Sequence, residues 1–401
     1  MKTLTDTLAN LCEGIYDCPH TTAVDEGSGY PLIRTPNVGR GRLILEGVHR
    51  VSEEVYIQRN KRATPKEGDL IFAREAPAGN VALIEKNQHV CLGQRTVLIR
   101  PDRTKVDPSF LTYFLLSAPV QYDLLGMANG ATVAHVNLPV IRGLKVTIPS
   151  SLEEQRKVAH VLSAYDTLIE NNRKQIKLLE EAARRLYKEW FVDLRFPGHE
   201  HTPIVNGIPE GWTMLQTADV ITFDPSVKLE KGQTRENVPM TALSTSGCTL
   251  DKSLITRTTS CSGSRFQNGD TLLARISPSL ENGKTAYVQG LEGPAVGSTE
   301  YIVMRGKSIP SIMVYLYART ENFRKVAIGS MKGSDGRQRA QKDMLTSLPY
   351  IKAPDTLLKD FEGIAQPMFT LIEQLCTYNQ HLTEARDRLL PKLMSGEIAI
   401  K

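Results

Sequence analysis

The chain has 401 residues, 41% of them apolar and 23% charged, with a formal net charge of +5 at pH 7. That length allows two or three domains with cores of their own, and the composition is that of an ordinary globular protein, not of a disordered or fibrous one. No run of 18 apolar residues occurs, which excludes a helical membrane span, and six cysteines without C-x-x-C spacing argue against a disulfide framework and for a reducing cytoplasm.

Residues 1–150 read as a mixed α/β domain. Asp69-Leu70-Ile71-Phe72-Ala73 and Val97-Leu98-Ile99 are short β-branched or aliphatic runs between Gly, Pro and charged residues, as strands require. Asp107-Pro108 caps a predicted helix that continues to Leu125. A Gly- and Ala-rich loop from Gly126 to Asn137 follows, and Leu144 to Pro149 is a last strand. Ser151 and Glu154 then form the capping-box pattern that opens a long helix.

That helix, predicted over 151–193, carries apolar or near-apolar residues in alternating steps of four and three: Val158, Leu162, Tyr165, Ile169, Asn172, Ile176, Leu179, Ala183, Leu186 and Trp190. These steps make a heptad seam. They recur over 355–394 at Phe361, Ala365, Met368, Ile372, Leu375, Asn379, Leu382, Arg386, Leu389 and Leu393. Two matching seams in one chain bury their stripes most simply against each other. An antiparallel pairing sets Val158 against Leu393 and Trp190 against Phe361, and brings Asn172 opposite Asn379, where a polar pair would fix the register. A coil of this length spans roughly 50 Å, which suits a long and periodic ligand.

A connector over 194–211, rich in turn formers, leads to Ile208-Pro209-Glu210-Gly211-Trp212 and a second domain over 212–354 with the anatomy of the first. Gly269-Asp270-Thr271-Leu272-Leu273-Ala274-Arg275 matches Gly68-Asp69-Leu70-Ile71-Phe72-Ala73-Arg74. Ile312 to Val326 takes the place of the Pro108 helix, and Met331 to Gln341 that of the Gly126 loop. Residues 395–401 form a short tail. The chain is therefore expected to be α+β, with two similar mixed α/β domains separated by an antiparallel two-helix coil.

The chemistry expected of a stand-alone enzyme is absent. Gly283-Lys284-Thr285 ends like a phosphate-binding loop, but Pro278 occupies the position of its first glycine. No dinucleotide fingerprint, zinc-protease helix, nucleophile elbow or Asn/Asp-Pro-Pro-aromatic methyltransferase motif is found. Cys12, Cys18 and His20 lack a fourth ligand at zinc-finger spacing, so no metal is expected.

Basic loops are more informative. Arg40, Arg42, Arg50, Arg59, Lys61 and Arg62 outnumber Glu46, Glu53 and Glu54, and Lys332, Arg337, Arg339 and Lys342 face a single Asp335. Such clusters neutralise phosphates, while Arg, Gln and Asn pair with base edges. The expected DNA contacts are Arg34, Arg40, Arg42, Arg59, Arg74, Thr132, His135 and Asn137 in the first domain. In the second they are Arg257, Arg275, Lys284, Lys332, Arg337, Gln338, Arg339 and Gln341. For Arg74 and Arg275 the alternative is an ion pair with a nearby carboxylate such as Glu75 or Asp270. His135 and Asn137 occupy the loop position of Arg339 and Gln341, and different polar groups at one position suit two different base sequences.

The chain resembles the specificity subunit of type I restriction-modification systems. The residues that carry the resemblance are Ser151-Leu152-Glu153-Glu154-Gln155-Arg156-Lys157-Val158, Glu170-Asn171-Asn172-Arg173, and Leu186-Tyr187-Lys188-Glu189-Trp190-Phe191. Phe196-Pro197-Gly198-His199-Glu200, Ile208 to Trp212 and Leu389 to Ile398 add to them, as do the two Gly-Asp…Ala-Arg strands. The resemblance implies two target recognition domains that each read half of a bipartite double-stranded DNA site, with the coil setting the gap between halves. It implies two modification subunits that bind S-adenosylmethionine and methylate adenine N6, and two restriction subunits that use ATP and magnesium. This chain would itself hold no cofactor. The first domain begins almost at Met1, so the N-terminal extension found in relatives is expected to be short or missing. A coiled-coil scaffold with two protein-binding domains, and the specificity component of a related restriction system with other cleavage subunits, are the alternatives.

Overall fold

The computed structural model describes residues 2–127, 134–334, 336–398 and 400. The chain divides into two compact units, one of residues 1–169 with 381–401 and one of residues 170–380. Both long helices contribute to both units.

The two units repeat one sheet. In the first, strands Cys12–Asp17, Thr96–Pro101, Leu70–Ala73 and Val81–Leu83 are neighbours in that order, with Gly41–Arg42 added at the edge. In the second, Ile221–Phe223, Tyr301–Gly306, Thr271–Ala274 and Thr285–Tyr287 take the same order. The inner strands Leu70–Ala73 and Thr271–Ala274 are buried along their whole length, which explains their continuous runs without polar alternation. Each unit also pairs its first strand antiparallel with its last: Thr3–Thr7 with Lys145–Pro149, and Thr213–Gln216 with Pro349–Lys352.

The Gly-Asp motif has a structural cause. Gly68 and Gly269 adopt φ of 84° and 94°, in the left-handed region that glycine enters without strain. The aspartate that follows accepts the N–H of the residue three before it, Lys66 at 3.0 Å and Gln267 at 2.8 Å, and so closes the turn into the strand. Each carboxylate also receives a two-pronged bond from an arginine on the neighbouring strand: Arg100 to Asp69 at 3.0 and 2.7 Å, Arg305 to Asp270 at 2.6 and 2.8 Å. Asp69 and Asp270 are fully buried. Removing one partner of such a pair costs about 3–5 kcal/mol, so sequence at these positions is fixed by the fold.

The predicted helices are interrupted. Pro108 to Leu125 is two helices, Pro108–Leu116 and Ala118–Gly126, and the counterpart is Ser311–Ala318 followed by Glu321–Gly329. The first break falls at Ser117, the extended N-cap of a helix that carries Pro119 in its first turn, where the missing N–H costs nothing; the second falls at Thr320, whose hydroxyl caps the new helix.

The long helices span Leu152–Tyr187 and Asp355–Ser395, and the first ends in a wider turn over Lys188–Val192. All twenty seam positions are buried or half-buried. In the first unit Val158 and Leu162 share a core with Leu390 and Leu393, and Arg386 bonds Asp166 at 2.5 Å. In the second, Trp190 and Tyr187 lie against Phe361 with ring centroids 5.8 and 6.0 Å apart. Asn172 Nδ2 donates to Asn379 Oδ1 at 2.8 Å, with Asn172 buried. The helices are antiparallel in both units. Replacing Asn172 or Asn379 alone by Leu should cost about 1–3 kcal/mol in chemical denaturation, because one amide loses its buried partner. The double Leu variant should recover part of that loss, and strictly additive losses would show that the amide pair does not act as a unit.

Candidate nucleic-acid interface

In the second unit the strand Thr271–Ala274 runs out into Arg275, which becomes the base of a small platform. Arg275 donates its N–H to Glu300 O at 2.9 Å and accepts at its own carbonyl from Ala340 N at 2.8 Å, while Ser277 N donates to Gln338 O at 2.9 Å. Lys332 and Arg339 exchange both backbone bonds, at 3.1 and 2.9 Å, and so make a hairpin standing on that platform. Gly333 and Gly336, at φ of 133° and 75°, supply its turn.

The guanidinium of Arg339 is spent on this construction. Its Nε lies 2.9 Å from Glu300 Oε2, its Nη2 2.7 Å from Oε1, and its Nη1 3.3 Å from Arg337 O. This pairing holds the Glu300 carboxyl below the usual carboxylate range. Gln341 donates Nε2 to Arg339 O at 2.8 Å. Arg339 and Gln341 therefore anchor the hairpin. Lys332 at its foot and Arg337 in its turn are exposed, and Gln338 is half-buried. Beneath, Arg275 Nε is buried with no acceptor among the described residues. Lys284 reaches Met240 O at 2.8 Å, and Arg257 pairs with Glu292 on the surface, so neither joins the hairpin.

The first unit repeats the platform with other chemistry. Arg74 N donates to Arg95 O at 2.9 Å, and Val136 N to Arg74 O at 3.0 Å. Arg74 uses all three guanidinium nitrogens internally, on Val136 O at 3.0 Å, Asp17 Oδ1 at 3.2 Å and His135 Nε2 at 2.8 Å. With its side chain 10% exposed it buttresses the loop, and the carboxylate it pairs with is Asp17. Accepting from Arg74 at Nε2 assigns the His135 proton to Nδ1, which faces Glu75; Glu75 in turn pairs with Arg95 at 2.8 Å. His135 stays partly exposed, and Asn137 is half-buried before the helix Leu138–Gly143. Thr132 lies outside the described residues.

Arg59 is also held internally. It is 7% exposed, and its guanidinium holds the carbonyls of Leu92 at 2.7 Å and Thr21 at 3.1 Å. Arg40 is exposed and reaches Leu116 O at 3.1 Å; Arg42 is half-buried near Tyr113. Arg34 lines an open cleft with Gln94 and Arg95, its Nε buried without an acceptor among the described residues. Sequence reasoning missed Arg95 and Glu300. These occupy the same structural position, each accepting the N–H of its unit's strand-end arginine, yet carry opposite charge, so only the strand frame reveals their equivalence.

Residues 16–181 match the family described as type I restriction modification DNA specificity domain. The type I restriction enzyme MjaIX specificity subunit of Methanocaldococcus jannaschii is 23% identical over 378 residues, 89% of this chain and 84% of that protein. The EcoEI specificity subunit of Escherichia coli is 26% identical over 194 residues, 47% of this chain and 33% of that protein. In fold the chain is similar to the type I restriction-modification S subunit from M. genitalium, with a TM-score of 0.56 at 17% identity, over 98% of this chain and 96% of the other. Residues 16–181 thus match the DNA specificity domain of type I restriction-modification systems, and the chain is similar over most of its length to a specificity subunit of such a system.

The Glu300–Arg339 pair gives the hairpin a pH dependence. A carboxyl with a depressed folded pKa contributes fully above the ordinary glutamate range, about 4.3, and its contribution is lost as pH falls through the depressed value. Protection of the Lys332 and Arg339 amides from hydrogen exchange should fall over that acid window in the native chain, and Glu300→Gln should show the loss already at neutral pH. Equal protection in the two proteins at neutral pH would remove Glu300 from this role.

Proposed function

We propose that this chain reads a bipartite double-stranded DNA sequence, one half through each unit, and directs adenine-N6 methylation and restriction by partner subunits. The observation that carries the reading is the repeated platform with different side chains on it: Lys332, Arg337 and Gln338 on one, His135 and Asn137 on the other. One backbone frame with two chemistries is what two different half-sites require. A two-stranded hairpin fits the major groove, where each base pair presents its own donor and acceptor pattern. Arg337 supplies a fork able to grip guanine, and Lys332 and Arg40 supply charge for phosphates.

In this reading the two long helices act as the spacer, their register fixing the unspecified gap between half-sites. Two modification subunits supply S-adenosylmethionine chemistry and must flip the target adenine out of the stack. Two restriction subunits supply the ATP- and magnesium-dependent steps. This chain contributes recognition and no catalytic group, and works in the cytoplasm; no helix among the described residues is long and apolar enough to cross a membrane.

Adding one heptad to each spacer helix beside Asn172 and Asn379 keeps the seam in phase and lengthens it by ~10 Å. Methylation-motif sequencing should then return the same two half-sites with a gap about three base pairs wider, since base pairs rise 3.4 Å along each strand; an altered half-site contradicts the spacer role. Arg337→Ala should relax discrimination at one base of one half-site, by about 1–3 kcal/mol. Uniform weakening across all sequences would make Arg337 a phosphate contact instead.

A further inference from the structure

Three arginines converge in the second unit at the junction between its recognition domain and the helix Leu152–Tyr187. Arg319, just past the helix Ser311–Ala318, donates Nη1 to Gly283 O at 2.7 Å and Nη2 to Ser246 O at 3.2 Å. Arg324, in the helix Glu321–Gly329, donates Nη2 to Glu281 O at 3.2 Å and Leu280 O at 3.4 Å. Its Nη1 is buried with no acceptor among the described residues. A side chain begun at Gly283 would start 2.7 Å from Thr245 O, 3.5 Å from Arg324 Nη1 and 3.7 Å from Arg319 Nη1, so both guanidiniums come close to one stretch of loop backbone. Arg184, on the long helix, adds a third charge close enough to act on Arg324.

Among the described residues no salt bridge joins Arg184, Arg319 or Arg324 to a carboxylate. Glu180 lies nearby, but it is buried and already receives Tyr315 Oη at 2.6 Å and Cys248 N at 2.8 Å. Burial and the charges of Arg319 and Arg184 all push the Arg324 pKa down, while Arg184 also acts on Glu181, one turn before it.

The fold does not demand this charge. In the first unit the same helix-to-loop junction is closed by neutral Gln121, whose Nε2 donates to Gly79 O at 2.8 Å and Leu115 O at 2.6 Å. The loop held by Arg319 and Arg324 leads back to Ser277, whose N–H supports the reading hairpin at Gln338 O. We propose that Arg184, Arg319 and Arg324 form a binding site for a backbone phosphate of the DNA flanking the half-site read by that hairpin.

The inference rests on the DNA-reading function proposed above, and one titration separates the two. The full chain is bound to a random-sequence duplex and the affinity followed against salt; each phosphate contact contributes about 0.9 to the slope of log K on log salt. Arg324→Gln reproduces the neutral solution of the first unit, and Arg184→Gln removes a charge that no backbone carbonyl depends on. The double variant should lower the slope by about one and weaken binding several-fold, with each single variant intermediate and the methylation motif unchanged. Steep salt dependence in the native chain with an unchanged slope in Arg184→Gln and in the double variant overturns the phosphate site and leaves the reader intact. Unchanged DNA binding with loss of a partner subunit from the complex also overturns it, assigning the arginines to a protein carboxylate. A native chain without salt-dependent DNA binding overturns both.

Discussion

Everything in this chain is conditioned by two buried helical stripes that can satisfy each other in one register. An apolar seam alone tolerates sliding by a heptad, because Leu against Ile costs little more than Leu against Leu. Asn172 and Asn379 remove that freedom, since any slip leaves a polar amide against hydrocarbon. Aromatic packing around Trp190 and Phe361 adds a shape that is equally intolerant of displacement. Because each helix contributes to both units, the same register enters the core of each.

Within a unit, a division of labour separates residues that hold from residues that can read. Asp69 with Arg100 and Asp270 with Arg305 fix the entry to the central strand, and Arg74 and Arg339 fix the foot of the loop that returns to its exit. The charges that build this frame are thus consumed internally. The freedom to vary lies beyond them, at Lys332, Arg337 and Asn137, where side chains can change without loss of buried pairs, whereas His135 is tied to Arg74. Recognition loops can diverge on a constant frame for that physical reason.

The sequence was most legible where a period or a repeat made many residues report the same fact. The seam, its antiparallel register and the doubled Gly-Asp…Ala-Arg strand follow from spacing, and the structure has all three. It was least legible where a single arginine had to be assigned. Arg59, Arg74 and Arg337 are indistinguishable as letters; the first is buried under carbonyls, the second locked against Asp17 and His135, and the third exposed. That difference is decided by strands distant in sequence. The helix breaks at Ser117 and Thr320 were masked by apolar periodicity that continues across them, although Pro119 offered a local sign of the first.

The central claim is that each unit reads its own half-site on a shared spacer. Exchanging residues 212–354 for the equivalent domain of a relative, and sequencing methylated motifs in cells that hold the partner subunits, tests it most directly. The account predicts a motif in which one half changes while the other half and the gap stay as they were. A change in both halves, or a gap that moves with the exchanged domain, would contradict it.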